Sequence, residues 1–204
     1  MFVCIIDYGA GNVQSVKRGF DRVCDDVKVS NSASDMEKST HLVLPGVGAF
    51  ATAMRQMSER IDIAKLKSLI EIGKPFLGIC VGMQAMASVG MEFETVMGMD
   101  VFENSLVDLI DTDLNLPHVG WNSVKIVRES PLFQDLADES DFYFVHSYGY
   151  KKIQADSILG VTEYGTKFPS IVSYKNAYGV QFHPEKSQAN GERILRNFLS
   201  MEQF

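Results

Sequence analysis

The apolar and polar positions of the first hundred residues alternate between two periods. Residues 2–6 form a short apolar run that reads as a strand, and residues 12–23 carry Val13, Val16, Phe20 and Val23 on one helical face. Residues 41–44 read as a second core strand, residues 50–72 as a helical stretch, and residues 75–79 as a strand buried on both faces. Residues 82–87 then read as a helix. Strands alternating with helices predict a parallel sheet with helices on both faces. The later half changes character: residues 123–127, 142–145, 158–164, 171–174 and 177–182 are strand-like, with few helices between them. They predict antiparallel additions, with Lys175-Asn176 as a hairpin turn. The chain closes on a helix with Asn190 as N-cap and Ile194, Leu195, Phe198 and Leu199 facing inward. With no internal repeat, linker or low-complexity segment, residues 1–204 are expected to form one α/β domain.

Cys80 falls between the 75–79 strand and the helix after it, in Gly78-Ile79-Cys80-Val81-Gly82-Met83-Gln84. The flanking glycines permit a tight, strained turn that pushes a side chain out of the sheet, the logic of the G-x-S-x-G elbow with sulfur in place of oxygen. The first helical turn offers free N–H groups that favour a thiolate and can hold an oxyanion. A small buried hydrophobe is the other reading of such a cysteine. A hundred residues on, Gln181-Phe182-His183-Pro184-Glu185 supplies a base and an acid. On an extended segment, which Pro184 favours for His183, residues two apart point the same way, so the imidazole lies beside the carboxylate. This is the pair a nucleophilic thiol needs: His183 takes the proton and Glu185 fixes the tautomer and stabilises the imidazolium. Leu44-Pro45-Gly46-Val47-Gly48 leaves a core strand at the same carboxyl edge, where open α/β sheets bind ligands. Its glycines can turn a peptide N–H toward an oxyanion, with the Val81 N–H as second donor, or they serve a tight strand-to-helix turn.

Composition narrows the setting. A chain of 204 residues, 46% hydrophobic and 22% charged, can bury a sizeable core. A net charge of −7 argues against a nucleic-acid partner. The first apolar run is short, ends in Asp7 and has no basic segment before it, so neither a signal peptide nor a membrane anchor is expected. The odd set Cys4, Cys24 and Cys80 has no metal-ligand spacing and fits a reducing cytosol; no metal or cofactor is implied.

Taken with Ile6-Asp7-Tyr8-Gly9-Ala10-Gly11-Asn12, Pro117-His118-Val119-Gly120-Trp121-Asn122, Tyr143-Phe144-Val145-His146-Ser147-Tyr148 and Gly179 to Ser187, these motifs are similar to those of the class I (triad) glutamine amidotransferases. The resemblance runs nearly end to end and is closest to glutaminase subunits of histidine biosynthesis. It implies a flavodoxin-like, mainly parallel central sheet with antiparallel additions in the C-terminal half. It also implies that Cys80, His183 and Glu185 form a triad hydrolysing glutamine to glutamate and ammonia, with Val47 and Val81 as oxyanion donors. Gly46, Gln84, Glu92, Ser147 and Tyr148 are the implied glutamine-binding residues, Glu92 pairing with the α-ammonium group or else lying at a solvated helix end. The implied partner is a (β/α)₈ barrel cyclase subunit in a heterodimer that receives the ammonia in the cytoplasm, with Asn12, Trp121, Tyr143 and Lys186 at or near the interface. From the residues alone, core packing is the preferred reading of Trp121. The chain departs from the family after Gln84, where Ala85 to Glu92 and Val96 to Asp100 replace the usual leucines, acidic run and Gly-Leu-Gly segment. The departure leaves the catalytic reading intact and admits a paralogue feeding a sugar amidotransferase in surface polysaccharide synthesis. A free-standing γ-glutamyl hydrolase and a noncatalytic regulatory subunit are the remaining readings.

Overall fold

The apolar runs of the first half pair side by side. In the computed structural model, which describes residues 1–9 and 11–203, β1 (Val3–Ile6), β2 (Val27–Ser30), β3 (His41–Gly46) and β4 (Phe76–Cys80) run parallel in the order β2-β1-β3-β4. Ala10 of the first motif and Phe204 lie outside the described residues. Every residue of β1, β3 and β4 is buried, as the unbroken apolar runs require. β13 (Ala177–Val180) adds to β4, also parallel. Beyond it β12 (Thr166–Tyr174), β11 (Ile158–Tyr164), β8 (His118–Ile126) and β9 (Glu139–His146) continue the sheet antiparallel to nine strands. Tyr174 faces Ala177 across the Lys175-Asn176 turn, where Lys175 adopts a positive φ of 51°. The mixed α/β expectation and this hairpin hold.

A second sheet, β10 (Tyr148–Lys152), β7 (Phe102–Leu109), β5 (Ala87–Gly90) and β6 (Val96–Met97), has no counterpart in the sequence reading. The chain passes from the first sheet to the second at Ser147, between β9 and β10. The presence of β5 corrects the expected helix at 82–87. The helix α5 is only Val81–Gln84, and Ala87 already belongs to β5. Backbone carbonyls that a longer helix would use are taken from across the chain. Ala85 accepts from Met99 N at 2.7 Å, Met86 from Val101 N at 2.9 Å and Ser88 from Gly98 N at 2.9 Å.

The flanking helices are α1 (Val13–Phe20), α2 (Ala33–Lys38), α3 (Phe50–Arg60), α4 (Ile63–Glu71) and α6 (Gln188–Leu199), with α1 against α6 and α2 against α4. The first helix stops at Phe20 rather than Val23, which still packs partly buried on the core. The 50–72 stretch is two helices, because Ile61 is extended and Asp62 caps α4 by accepting from Lys65 N at 2.9 Å. The N-cap position of the last helix is Ser187, not Asn190, and the Ser187 hydroxyl makes no capping bond. Asn190 lies in its first turn and donates to Asp141 O at 3.1 Å. None of the helices among the described residues is long and apolar enough to cross a membrane.

Candidate active site

Cys80 ends β4 and precedes α5 with φ +54° and ψ −112°, a conformation that L side chains rarely adopt. Glycines around it make the turn possible. A Cβ on Gly82 would strike the carbonyl of Leu44, and one on Gly46 would strike Gly82 N and Val81, so β3 and α5 meet at backbone distance. In the β3–β4 pairing Gly46 lies opposite Cys80. The peptide to Val47 therefore leaves β3 beside the sulfur, and Val81 opens the helix on its other side.

His183 reaches the same place from the end of β13. Its Nδ1 lies 2.8 Å from Glu185 Oε1, and both side chains are almost wholly buried. The extended geometry expected for this segment holds only at His183. Pro184–Lys186 is a 3₁₀ turn, and it is the turn that folds the carboxylate back onto the ring. The turn is fastened to β9: His183 N donates to Tyr143 O at 2.9 Å, Tyr143 N to Ser187 Oγ at 2.9 Å, and Ser187 Oγ to His183 O at 2.7 Å. Burial, the largest influence on the imidazole, disfavours its cation, yet Cys80 and Glu185 outweigh it and push the pKa up to about 9. His183 Nε2 makes no hydrogen bond among the described residues, which leaves it free for proton transfer to or from the thiol side.

These groups open onto a cavity of about 440 Å³ lined by Val47, Cys80, Val81, Gln84, Glu92, Ser147, Tyr148 and His183, among others. Gly46 lies beneath it, against Gly82, and Glu185 behind His183. Glu92 Oε2 accepts from Phe50 N at 2.7 Å, the first N–H of α3, which ties the carboxylate to a helix end. Burial raises the Tyr148 phenol's pKa, and the nearby Glu92 and Asp108 charges raise it further. Two polar groups at the sulfur have no counterpart in the sequence reading. Gln181 Nε2 lies 3.7 Å from Cys80 Sγ, and the Val145 carbonyl lies 3.9 Å from it. The one signal for Gln181 is its place two positions before His183, just past the end of β13. Tyr8 is also buried, and both burial and Cys80 push its pKa up.

The whole chain carries a family signature around this site: the class-I glutamine amidotransferase model matches residues 4–201. The chain belongs to the class I glutamine amidotransferases. It is 39% identical over 196 residues to the imidazole glycerol phosphate synthase subunit HisH of Moorella thermoacetica, covering 96% of this chain and 93% of that protein. With the subunit of the same name from Methanocaldococcus jannaschii it shares 38% over 197 residues, covering 97% and 98%. With that from Caldanaerobacter subterraneus it shares 40%, covering 97% of each. Among solved structures, a glutamine amidotransferase superposes with a TM-score of 0.76 over 98% of this chain and 97% of that one at 17% identity. Another, from Thermotoga maritima, gives 0.64 at 16% identity over 98% and 82%. At such identities these two speak to the fold.

On this amidotransferase, three of the four residues expected at a partner surface stand together. Trp121 faces Tyr143 across β8 and β9, their rings 6.2 Å apart, and Lys186 Nζ lies 5.7 Å from the Tyr143 ring centre. Trp121 is 48% exposed, so it is not a core residue of this chain. Asn12 is exposed and caps α1, its Oδ1 accepting from Ser15 N at 3.3 Å. That helix packs on the His183–Lys186 turn.

Proposed function

We propose that the chain is the glutaminase subunit of imidazole glycerol phosphate synthase in histidine biosynthesis, with Cys80, His183 and Glu185 as its catalytic residues. The His183–Glu185 contact behind a cysteine held at positive φ carries the reading of the triad. The Cys80 thiolate attacks the side-chain amide carbon of glutamine, and the carbonyl oxygen takes up charge between the N–H groups of Val47 and Val81. His183 donates its proton to the leaving nitrogen, ammonia departs, and a γ-glutamyl thioester remains on the sulfur. Water, deprotonated by His183, attacks the thioester and releases glutamate, expelling the Cys80 thiolate and leaving the proton on His183 as at the start. Glu185 keeps the imidazole oriented and its cation stabilised throughout.

The substrate is a zwitterion, and the site has groups to meet it. Glu92 pairs with the α-ammonium group, while Gln84, Ser147, Tyr148 and the Gly46 backbone hold the remainder. Released into water, ammonia would be protonated and lost to synthesis. A cyclase subunit seated over Asn12, Trp121, Tyr143 and Lys186 would receive it directly, and a (β/α)₈ barrel is the form proposed for it. A single domain over residues 1–204 and a cytoplasmic setting complete the reading. Near-full-length similarity to subunits of this one synthase supports the histidine pathway over a sugar-modifying paralogue.

The test is glutamate release from glutamine by the purified chain, alone and with a histidine-pathway cyclase subunit and its ribonucleotide, with Cys80→Ala as control. Cys80-dependent stimulation by the complex is the expected result. Turnover independent of any partner would indicate a free hydrolase, and the absence of stimulation would shift the assignment to the sugar pathway.

A further inference from the structure

Two histidines that take no part in the triad are wired to it. His118 opens β8, His146 ends β9, and the two are cross-strand partners buried in the sheet. His118 Nδ1 lies 3.0 Å from His146 Nε2, and His146 Nδ1 lies 3.0 Å from the Tyr148 carbonyl. At the other end Asn122 Nδ2 lies 3.2 Å from His118 Nε2 and donates to Glu163 O at 3.0 Å, while Asn122 Oδ1 accepts from Ser123 N at 2.8 Å.

The polarity of this chain of hydrogen bonds follows from both ends. A carbonyl can only accept, so His146 carries its proton on Nδ1 and, as a neutral ring, accepts at Nε2. His118 must then donate from Nδ1 and accept at Nε2. The Asn122 amide, fixed independently by Glu163 O and Ser123 N, presents a donor at that nitrogen. The two directions of reasoning meet without conflict, and no ring nitrogen is left unpaired. Packing enforces the neutral forms. His118 is stacked between Phe144 and Tyr164, with ring centres 4.9 and 4.1 Å away, and Phe168 packs edge-on to both imidazoles. Burial holds both pKa values down, to about 4 for His118 and about 3 for His146.

The line continues into the active site. The Tyr148 carbonyl also accepts from Gln84 Nε2 at 2.8 Å, and the second Gln84 proton goes to Gln181 Oε1 at 3.1 Å. With its oxygen so engaged, Gln181 must turn its NH₂ to Cys80 Sγ. The donor at the sulfur is thus oriented through a series of groups that starts beside Trp121. The carbonyl at its centre lies just past Ser147, where the chain leaves one sheet for the other and lines the cavity.

We propose that His118 and His146 are positioning residues for glutamine hydrolysis: two neutral imidazoles, both Nδ1–H tautomers, that pin the Tyr148 carbonyl and through it orient Gln84 and Gln181 toward substrate and sulfur. The proposal rests on the reading of Cys80 as nucleophile and glutamine as substrate. Its first test does not. In ¹⁵N-histidine-labelled chain, long-range ¹H–¹⁵N spectra at neutral pH should show both rings neutral with the proton on Nδ1. A proton on Nε2 of either ring, or an imidazolium, would overturn the relay whatever the enzyme does. The second test uses the chain assembled with its cyclase partner. His118→Phe keeps the aromatic stack but removes both polar contacts, and it should raise the KM for glutamine and lower kcat/KM by about tenfold, as small misplacements of catalytic groups do. His118→Gln, which can still donate and accept, should recover most of the loss. Wild-type KM and kcat/KM in a folded His118→Phe complex would refute the positioning role, as would equal impairment of the Phe and Gln variants.

Discussion

At the residue scale, the proposed chemistry turns on how His183 is held between an acid and a thiol. Removal of Cys80 as Cys80→Ala should abolish glutamate release, a fall of at least about 10⁴-fold, because triad members act as a unit. Glu185→Gln should cost about 10²–10⁴-fold while leaving the fold intact, since it spoils the tautomer and the cation but not the packing. The raised imidazole pKa has a consequence for stability. The folded value of about 9 lies above the ordinary 6.5, so the native state binds this proton more tightly than the unfolded chain. The stabilisation is fully present below about pH 6.5 and is lost as pH rises through about 9. Thermal melts across that window should show the decline, and Cys80→Ala should flatten it by removing one of the two groups that hold the proton. Much of this was legible in the sequence. Cys80, with glycines on both sides, and the His-Pro-Glu run announced an elbow and a base-acid pair. The 3₁₀ turn that closes the pair was not legible, because Pro184 is equally at home before an extended segment and at the start of a tight turn. Gln181 was hidden for a related reason: a lone glutamine two positions from a histidine has no pattern of its own.

At the element scale, the site depends on strands and a one-turn helix meeting at backbone distance. Any side chain on Gly82 would displace the Leu44 carbonyl and pull β3, with its Gly46–Val47 peptide, away from the sulfur. Gly82→Ala should therefore cost about 3 kcal/mol, the upper part of the range for overpacking. In a chain of this length that corresponds to a drop of roughly 6–12 °C in Tm, and activity should fall by more than the stability change explains. The parallel core strands were readable because burial on both faces leaves an unbroken apolar run. The second sheet was not. β7 mixes Glu103 and Asp108 with buried Phe102, Ser105 and Val107, and β5 is four residues beginning just after the elbow helix. Short strands of mixed polarity carry too little period to stand apart from a helix or a loop. The overestimated helix after Cys80 has the same origin, since its carbonyls are claimed by residues far along the chain that local pattern cannot anticipate.

At the scale of the whole molecule, the Pro184–Lys186 turn and the exposed aromatic cluster share one wall. Tyr143 bonds His183 through its backbone and faces Trp121 and Lys186 through its ring, so a partner pressing on the ring acts one residue's width from His183. Trp121→Ala should weaken association with the cyclase subunit by about 30-fold, the loss of a typical hot spot, with the Tm of the isolated chain unchanged. Titration calorimetry and a melt on the same preparation check both halves. Underneath any such coupling lies the claim that Cys80 forms a covalent bond to glutamine. The direct measurement is rapid acid quenching of the assembled enzyme during turnover, followed by mass analysis of the Cys80 peptide. A γ-glutamyl adduct on Cys80, lost when glutamine is withheld and found on no other segment of the chain, is the predicted result. Turnover of glutamine with no adduct at any time point, or undiminished turnover by Cys80→Ala, would contradict the account.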